Sequence, residues 1–426
     1  MNAWAFYDWA NSVYSLVITS AIFPIFYSAL FADQPLVQFL GFEVKNSALI
    51  SFVTAGAFLV VSAMSPLLSG IADYVGNKKQ FLQFFCYLGA LACIGLYWFS
   101  ADNLGWGLLF YFLGLIGFWG SMVFYNSFLP DIAPKEVQDR LSAKGYSLGY
   151  AGSVILLVVN LAMVMKPEVF GITGTPGEAA MKAMRYSFIT VGIWWILFAQ
   201  YTFYHLPKGP REKLRVSRHI VFNGFRELKK VYHSLAGLVI LKRYLSGFFV
   251  YSMAVQTVML VATYFGAQEI RWTSKEEGTT GLIICILLIQ LVAIAGAFLT
   301  SRASRQWGNI RVLIAINLFW LGLCIAAFFV IDPIQFYVMA ALVGLVMGGI
   351  QALSRSTYSK LLPQTLDTAS YFSFYDVAEK IGIVIGMILY GLIDQAYGPR
   401  YSIVFLGIFF LVGILLLLRI PQKSAT

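Results

Sequence analysis

Charged residues are scarce in this sequence. Asp, Glu, Lys and Arg make up only 12% of 426 residues, where a water-soluble chain of this length would carry about 25%. Hydrophobic residues reach 59% and the mean hydropathy is +0.75, so no water-soluble fold could hide the apolar side chains and lipid is the expected solvent. Histidine is rarer still. The three present, His205, His219 and His233, lie in or beside one polar segment, which excludes a histidine proton relay inside a membrane. The four cysteines, Cys86, Cys93, Cys285 and Cys324, all sit in apolar runs, a pattern of packing residues rather than of a disulfide framework or metal site. A phosphate-cradling G-x-x-x-x-G-K-[ST] loop is absent, which argues against ATP-driven chemistry. Metal-spaced histidines and a G-x-S-x-G elbow are absent too, so a membrane-embedded enzyme has no visible catalytic set. No metal or cofactor is called for. The opening MNAWAFYDWANS lacks a basic n-region, and the first apolar run is expected to stay in the mature protein. The net charge of +10 invites a nucleic-acid reading, but the basic residues gather in short loops and not on one face of a domain.

What the chain has instead is apolar runs of membrane-spanning length. Twelve are expected, near 4–30, 47–70, 79–100, 104–129, 142–165, 185–205, 243–266, 279–300, 311–331, 334–361, 371–393 and 400–419. Six precede a polar segment, 206–242, and six follow it. The fold class is therefore an all-α membrane protein of twelve transmembrane helices, with a six-helix bundle over 1–205, a basic linker over 206–242 and a second bundle over 243–426. With both termini inside, the inner loops and the C-terminal tail hold 22 of the 30 Lys and Arg, and the outer loops hold 7. Positive charge accumulates on the cytoplasmic side, so a multi-pass protein with cytoplasmic termini follows.

The two halves echo each other. GIADYVGNKK (Gly70 to Lys79) separates the second and third runs; a degraded copy, RASRQWGNIR (Arg302 to Arg311), separates the eighth and ninth, with Gly308 lying 232 positions after Gly76. YNSFLP (Tyr125 to Pro130) ends the fourth run and YSKLLP (Tyr358 to Pro363) the tenth, at an offset of 233. A turn that recurs once per half, between hydrophobic spans, is the mark of a repeated bundle. In the linker, Val221, Phe225, Leu228, Val231 or Tyr232, and Leu235 recur at helical spacing, while Arg218, Arg226, Lys229 and Lys230 take other positions. That pattern predicts an amphipathic helix on the anionic inner leaflet of the bilayer.

Polar residues within spans are costly and face a bundle interior or cavity. They recur at helical period in spans 1, 2, 4, 5, 7, 10 and 11, whereas spans 3, 6, 9 and 12 are comparatively bare. Lys380, near mid-span, could receive an anionic group of a solute, with Glu379 or Asp376 exchanging a proton; alternatively Asp376 and Lys380, at i and i+4, neutralise each other and fix the helix. Asp8, one turn from Asn11, reads as a proton or cation site or as a tether for the first helix. Arg355 could snorkel to headgroups or pair with an acid of the opposite half. Asn126, Tyr150 and Gln256 complete the solute-pathway candidates. In the turn, Gly70 and Gly76 permit close packing and reversal, Asp73 can face the hydrogen-bonding end of a neighbouring helix, and Lys78 and Lys79 supply inside charge.

Gly70, Asp73, Gly76, Lys78 and Lys79 match the loop signature G-x-x-x-D-x-x-G-x-[KR]-[KR], and with two sets of six spans the chain resembles the major facilitator superfamily. Tyr74 departs from the basic residue common after the Asp. YDWANSVYSLVI (Tyr7 to Ile18), YNSFLPDIA (Tyr125 to Ala133), GGIQALSRSTYSKLLP (Gly348 to Pro363) and FSFYDVAEK (Phe372 to Lys380) are similar to the autophagy-related vacuole effluxers, over nearly the whole chain. That resemblance implies a pseudo-symmetric secondary transporter working by rocking of two halves, and a gating role for the loop signature. It also implies efflux of a small polar solute such as an amino acid, a monomer, and, through the family's bacterial members, a bacterial plasma membrane. A receptor or scaffold that moves nothing is the alternative of another class.

Overall fold

The structure is a computed structural model that describes residues 1–32, 34, 36–39, 41–207 and 220–421. It contains twelve long helices. The first half holds α1 (Asn2–Leu30), α2 (Asn46–Val75), α3 (Lys78–Gly95), α4 (Leu104–Ser127), α5 (Lys135–Met165) and α6 (Pro176–His205). A shorter linker helix follows, α7 (Ile220–Gly237). The second half holds α8 (Val239–Glu269), α9 (Lys275–Trp307), α10 (Asn309–Ala327), α11 (Pro333–Leu361), α12 (Thr368–Tyr397) and α13 (Pro399–Leu418). Ten of the twelve are apolar enough to cross a bilayer by composition alone. The two others have clear reasons: α6 is rich in Trp and Tyr, and α12 carries Asp376, Glu379 and Lys380.

Several boundaries differ from the expectation because helices outrun their apolar cores. α5 begins at Lys135 and not near 142, and α6 begins at Pro176 and not near 185. The early start of α6 is set by a capping box: Thr175 accepts from the Glu178 amide and the Glu178 carboxylate accepts from the Thr175 amide. The turn at Gly70 to Lys79 is tighter than expected. α2 runs straight through Gly70, Gly76 alone takes the left-handed conformation at φ 69°, and Asn77 caps α3, so Lys78 and Lys79 are already helical. The middle of α1, Tyr14–Ile22, is wound as a π-helix, and Thr19 and Ser20 both donate to the Ser15 carbonyl, at 2.6 and 2.9 Å. Between α1 and α2 lies an antiparallel hairpin, β1 (Leu36–Phe39) and β2 (Phe42–Lys45), which periodicity did not announce.

Two apolar cores organise the chain. One joins residues from Trp4 to Leu206 and takes in Ala369; the other joins residues from Val231 to Ile420 and takes in Tyr150. Thr202 Oγ1 donates to the Ala3 carbonyl at 2.7 Å and Arg243 to the Arg419 carbonyl at 2.8 Å. The start of α1, the end of α6, the start of α8 and the end of α13 thus share one face, called here the terminal face; the hairpin lies towards the far face.

Small residues let neighbouring helices approach closely, as bilayer packing requires. A Cβ on Gly348 would stand 2.1 Å from the Ala293 carbonyl oxygen, and one on Gly344 would stand 2.5 Å from that of Ile289, so α9 and α11 touch backbone to backbone. Gly322 in α10 has nothing within 4 Å. Gly348→Ala should therefore force the pair apart and cost about 1–3 kcal/mol, read as a lower melting temperature in detergent. Gly322→Ala should leave it unchanged or slightly raised, since alanine is the better helix former.

Candidate functional site

Three clusters of hydrogen bonds and ion pairs join the halves towards the terminal face. The deepest is centred on Arg355 of α11, which is fully buried. Its Nε donates to Ser142 Oγ at 2.9 Å. Nη1 donates to Asp8 Oδ2 at 3.3 Å and Asn126 Oδ1 at 3.2 Å, and Nη2 to Asp8 Oδ2 at 3.2 Å and the Ser142 carbonyl at 3.0 Å. A guanidinium has five N–H donors, and all five are engaged. Asp8, 2% exposed, also accepts from Tyr125 Oη at 2.8 Å. The guanidinium carbon lies 4.2 Å from the ring centroid of Tyr146 and 4.9 Å from that of Trp4. Of the alternatives left open by the sequence, snorkelling is overturned for Arg355: it pairs with an acid of the opposite half. Asp8 is likewise a partner across the halves.

The second cluster grips the start of α12. Asp73, at the end of α2, accepts from the amides of Ala369 at 3.2 Å and Ser370 at 2.7 Å, where a helix presents unpaired N–H groups and the positive end of its dipole. Beside it Lys78 pairs with Asp131 and donates to Thr368. Lys79 faces another way and donates to the Leu206 carbonyl at 3.0 Å, holding the end of α6. The third cluster surrounds Asp139 of α5, which accepts from Lys360 at 2.6 Å, Asn309 at 2.9 Å and Ser304 at 3.1 Å.

Further into the protein lies a charged group on α12. Lys380, fully buried, pairs with Asp376 and stands 4.3 Å from the Trp119 ring centroid. Asp376 also accepts from Ser65 at 3.4 Å. Glu379 accepts from the neutral amide of Gln256 at 2.7 Å and has Tyr146, Tyr251 and Tyr375 within electrostatic range. Tyr146 belongs to the Arg355 cluster, its ring lying on the guanidinium. Tyr150 donates to Gln351 at 2.7 Å across the halves. Asn11 does not join Asp8; its amide donates to Met122 Sδ at 3.1 Å inside the first bundle. A separate cavity of about 770 Å³ lies beside the hairpin, lined by Phe31, Gln34, Asp102 and Trp106 among others, away from these charges.

The sequence pattern did not disclose Asp131, Asp139, Ser142, Tyr146 and Trp119 as members of these clusters. Asp131 and Asp139 flank a short basic loop and look like ordinary surface charges; only the fold brings Lys360 to Asp139. Tyr146 shared a helical polar stripe with Tyr150, and that was its sole signal. A Cβ on Gly145 would stand 2.4 Å from Asp8 Oδ2 and 3.0 Å from Arg355 Nη2. Arg355→Ala should strand a buried carboxylate at a cost of about 3–5 kcal/mol, whereas the double change Asp8→Leu with Arg355→Met should recover part of the loss. Thermal unfolding in detergent reads both, and Gly145→Ala should fall between them and the unaltered protein.

Comparison with known proteins matches this architecture. The family described as "Vacuole effluxer Atg22 like" matches residues 1–426. An uncharacterised MFS-type transporter of Bacillus subtilis, YxiO, is 30% identical over all of this chain and 95% of its own length. Autophagy-related protein 22-1 of Aspergillus terreus is 23% identical, covering 91% of this chain and 76% of its own. Among solved structures, the transporter FucP in its outward conformation superposes with a TM-score of 0.71 at 14% identity, covering 98% of each chain. The chain belongs to the Atg22-like family of the major facilitator superfamily and has the twelve-helix fold of that superfamily's transporters.

Proposed function

We propose that this protein exports a small polar solute bearing an amino group, an amino acid or a close analogue, in exchange for a proton, through a site centred on Glu379. The observation that carries this reading is a charge inventory. The two deep groups that join or face the halves hold three carboxylates, Asp8, Asp376 and Glu379, and two cations, Arg355 and Lys380. Asp8 takes Arg355 and Asp376 takes Lys380. Glu379 has a neutral amide as its hydrogen-bond partner. Glu379 is half-buried and shares the charge of Lys380 with Asp376, so the three groups together are one positive charge short, and the group fits a positive equivalent taken from solution: a proton in one state, an ammonium in the next. One carboxylate that accepts either, but not both, makes their exchange obligatory. Lys380, expected as the receptor for an anionic group, is occupied by Asp376 in this conformation and can offer itself only when that pair parts.

The Lys and Arg bias of the loops orients the terminal face to the cytoplasm, with the linker against the anionic leaflet. On that orientation the three clusters shut the cytoplasmic side, and rocking of the halves would break them to expose the site inward. Gly76, Asp73 and Lys78 act there as a gate, through the α12 start. Gly70 and Lys79 serve the packing beside it.

Purified protein in liposomes, tested over a panel of amino acids and amines with and without a pH gradient, checks the reading. Solute movement should depend on the gradient, and each solute should displace protons. Glu379→Gln should lower the rate by roughly tenfold or more, the loss of about 1.4 kcal/mol or more of binding, and remove the coupled proton signal. Transport by Glu379→Gln at an unchanged rate and pH dependence would discard the site.

A further inference from the structure

The first turn of α12 is held by four other elements at once. Asp367, just before it, binds Lys230 of α7 at 3.3 Å. Thr368 accepts from Lys78 of α3. The amides of Ala369 and Ser370 bind Asp73 of α2. Tyr371 Oη lies 2.6 Å from Ser234 Oγ of α7, and its carbonyl accepts from Tyr358 of α11. The linker helix therefore rests on the same turn by which the first half keeps the terminal face shut.

α7 has two different sides. Val231 is 2% exposed and packs with half-buried Leu235 into the second core. On the other side Phe222, Phe225 and Tyr232 are 73%, 59% and 61% exposed, with Arg226 and Lys229 exposed among them. Aromatic rings interleaved with basic residues, on a helix joining two membrane-spanning bundles at their common face, match the headgroup boundary of a bilayer. The rings suit the upper acyl region, and the exposed positive charges of Arg226 and Lys229 suit phosphate. Lys230 lies at the border of the two sides. Its hydrogen bond to Glu227 at 2.6 Å, with the charge of Asp367 behind it, holds its ammonium above the ordinary pKa, so it stays available as a cation to the α12 contact.

We propose that the outward side of α7 binds an anionic lipid surface and that this binding holds the terminal face shut. The inference needs that face to lie at a bilayer surface and does not depend on which solute is carried. α7 packs along α2 of the first half, reaches the second core through Val231 and Leu235, and ties to the α12 turn through Lys230 and Ser234, so it bridges the two halves. Opening the face draws the α12 turn away from Asp73 and Lys78 and has to break that tie or displace α7. A helix whose rings and charges are seated in the headgroup layer resists that displacement. Anionic lipid thus favours the closed arrangement, and removing the lipid charge or the α7 charge releases it.

The test uses the full chain in nanodiscs of phosphatidylcholine alone or of phosphatidylcholine with phosphatidylglycerol. Spin labels go on Glu136→Cys and Gln306→Cys, exposed positions at the terminal face in opposite halves; the four native cysteines are buried. Pulsed dipolar spectroscopy then reads the closed and open populations with no solute present. Phosphatidylglycerol should raise the closed-to-open ratio. Arg226→Gln and Lys229→Gln should each lower that ratio roughly fivefold in the anionic nanodiscs and leave it unchanged in phosphatidylcholine. Lys230→Gln should lower it in both, because it cuts the tie to α12. Identical distance distributions in the two lipids would overturn the proposal. So would a lipid response that survives the double change Arg226→Gln with Lys229→Gln, or one reproduced by inorganic phosphate in phosphatidylcholine nanodiscs. Loss of transport with the lipid response intact would count against the Glu379 site and not against this one.

Discussion

A charge taken out of water has to be neutralised where it stands, and in a membrane protein the distance to water leaves few ways of doing so. That constraint arranges the interface between the two halves. At the terminal face the acids Asp8, Asp73 and Asp139 all belong to the first half, and the groups that satisfy them across the interface, Arg355, the α12 amides and Lys360, all belong to the second. No half can satisfy its own set. Closure is therefore an electrostatic fit as well as an apolar one, and separating the halves leaves a row of carboxylates facing a row of donors. On the proposed reading, water entering between them would supply the missing hydrogen bonds as the halves part, a route closed to a buried pair without access to water.

The depth of each cluster decides what it can do. The Asp73 and Asp139 clusters sit at helix ends, beside loops, where water can replace the lost partners as soon as the helices separate. Arg355 is enclosed on every side, with all five donors engaged and aromatic faces against its plane. It cannot bind solute while the face is closed. Glu379 differs from both: it lies next to a complete ion pair yet has a neutral hydrogen-bond partner in Gln256. On the proposed reading, a carboxylate of this kind serves exchange better than it serves structure. The same reasoning gives Asp376 and Lys380 the opposite character, since a matched pair on one helix fixes that helix and holds no charge in reserve.

Much of this was legible before the structure. Scarce charge and twelve apolar runs are enough for a membrane protein of twelve helices, because lipid admits few alternatives to helices. The repeated turn pointed to two bundles, and Asp73 next to a Gly reversal suggested a helix end as its partner. Other features were hidden for physical reasons. The start of α6 followed the capping box at Thr175, outside the apolar run, and α5 begins directly after Pro134, whose extended backbone sets the boundary. The hairpin is short and half exposed, so it shows little alternation. Arg355 sits five residues before Lys360 near the end of its helix, where local sequence cannot tell an arginine reaching headgroups from one enclosed by the opposite half; only the positions of Asp8 and Ser142 decide. Part of the linker reading, Arg218 and His219 included, falls outside the described residues.

The degraded second copy of the turn follows from the same constraint. Shifting Asp73 by the 232-residue offset lands on Arg305, so the second half has no acid where the first half has one. Symmetry would seem to require a second carboxylate to cap α5 as Asp73 caps α12. The structure satisfies the requirement with the roles exchanged. Here the end of α9 and the start of α10 supply donors, Ser304 and Asn309, Lys360 adds the charge, and α5 carries the acid, Asp139. Arg305 is exposed, and its neighbour Ser304 makes the contact with Asp139. The two copies of the turn are unlike because each meets the opposite half differently: the first brings the aspartate and the second brings the donors.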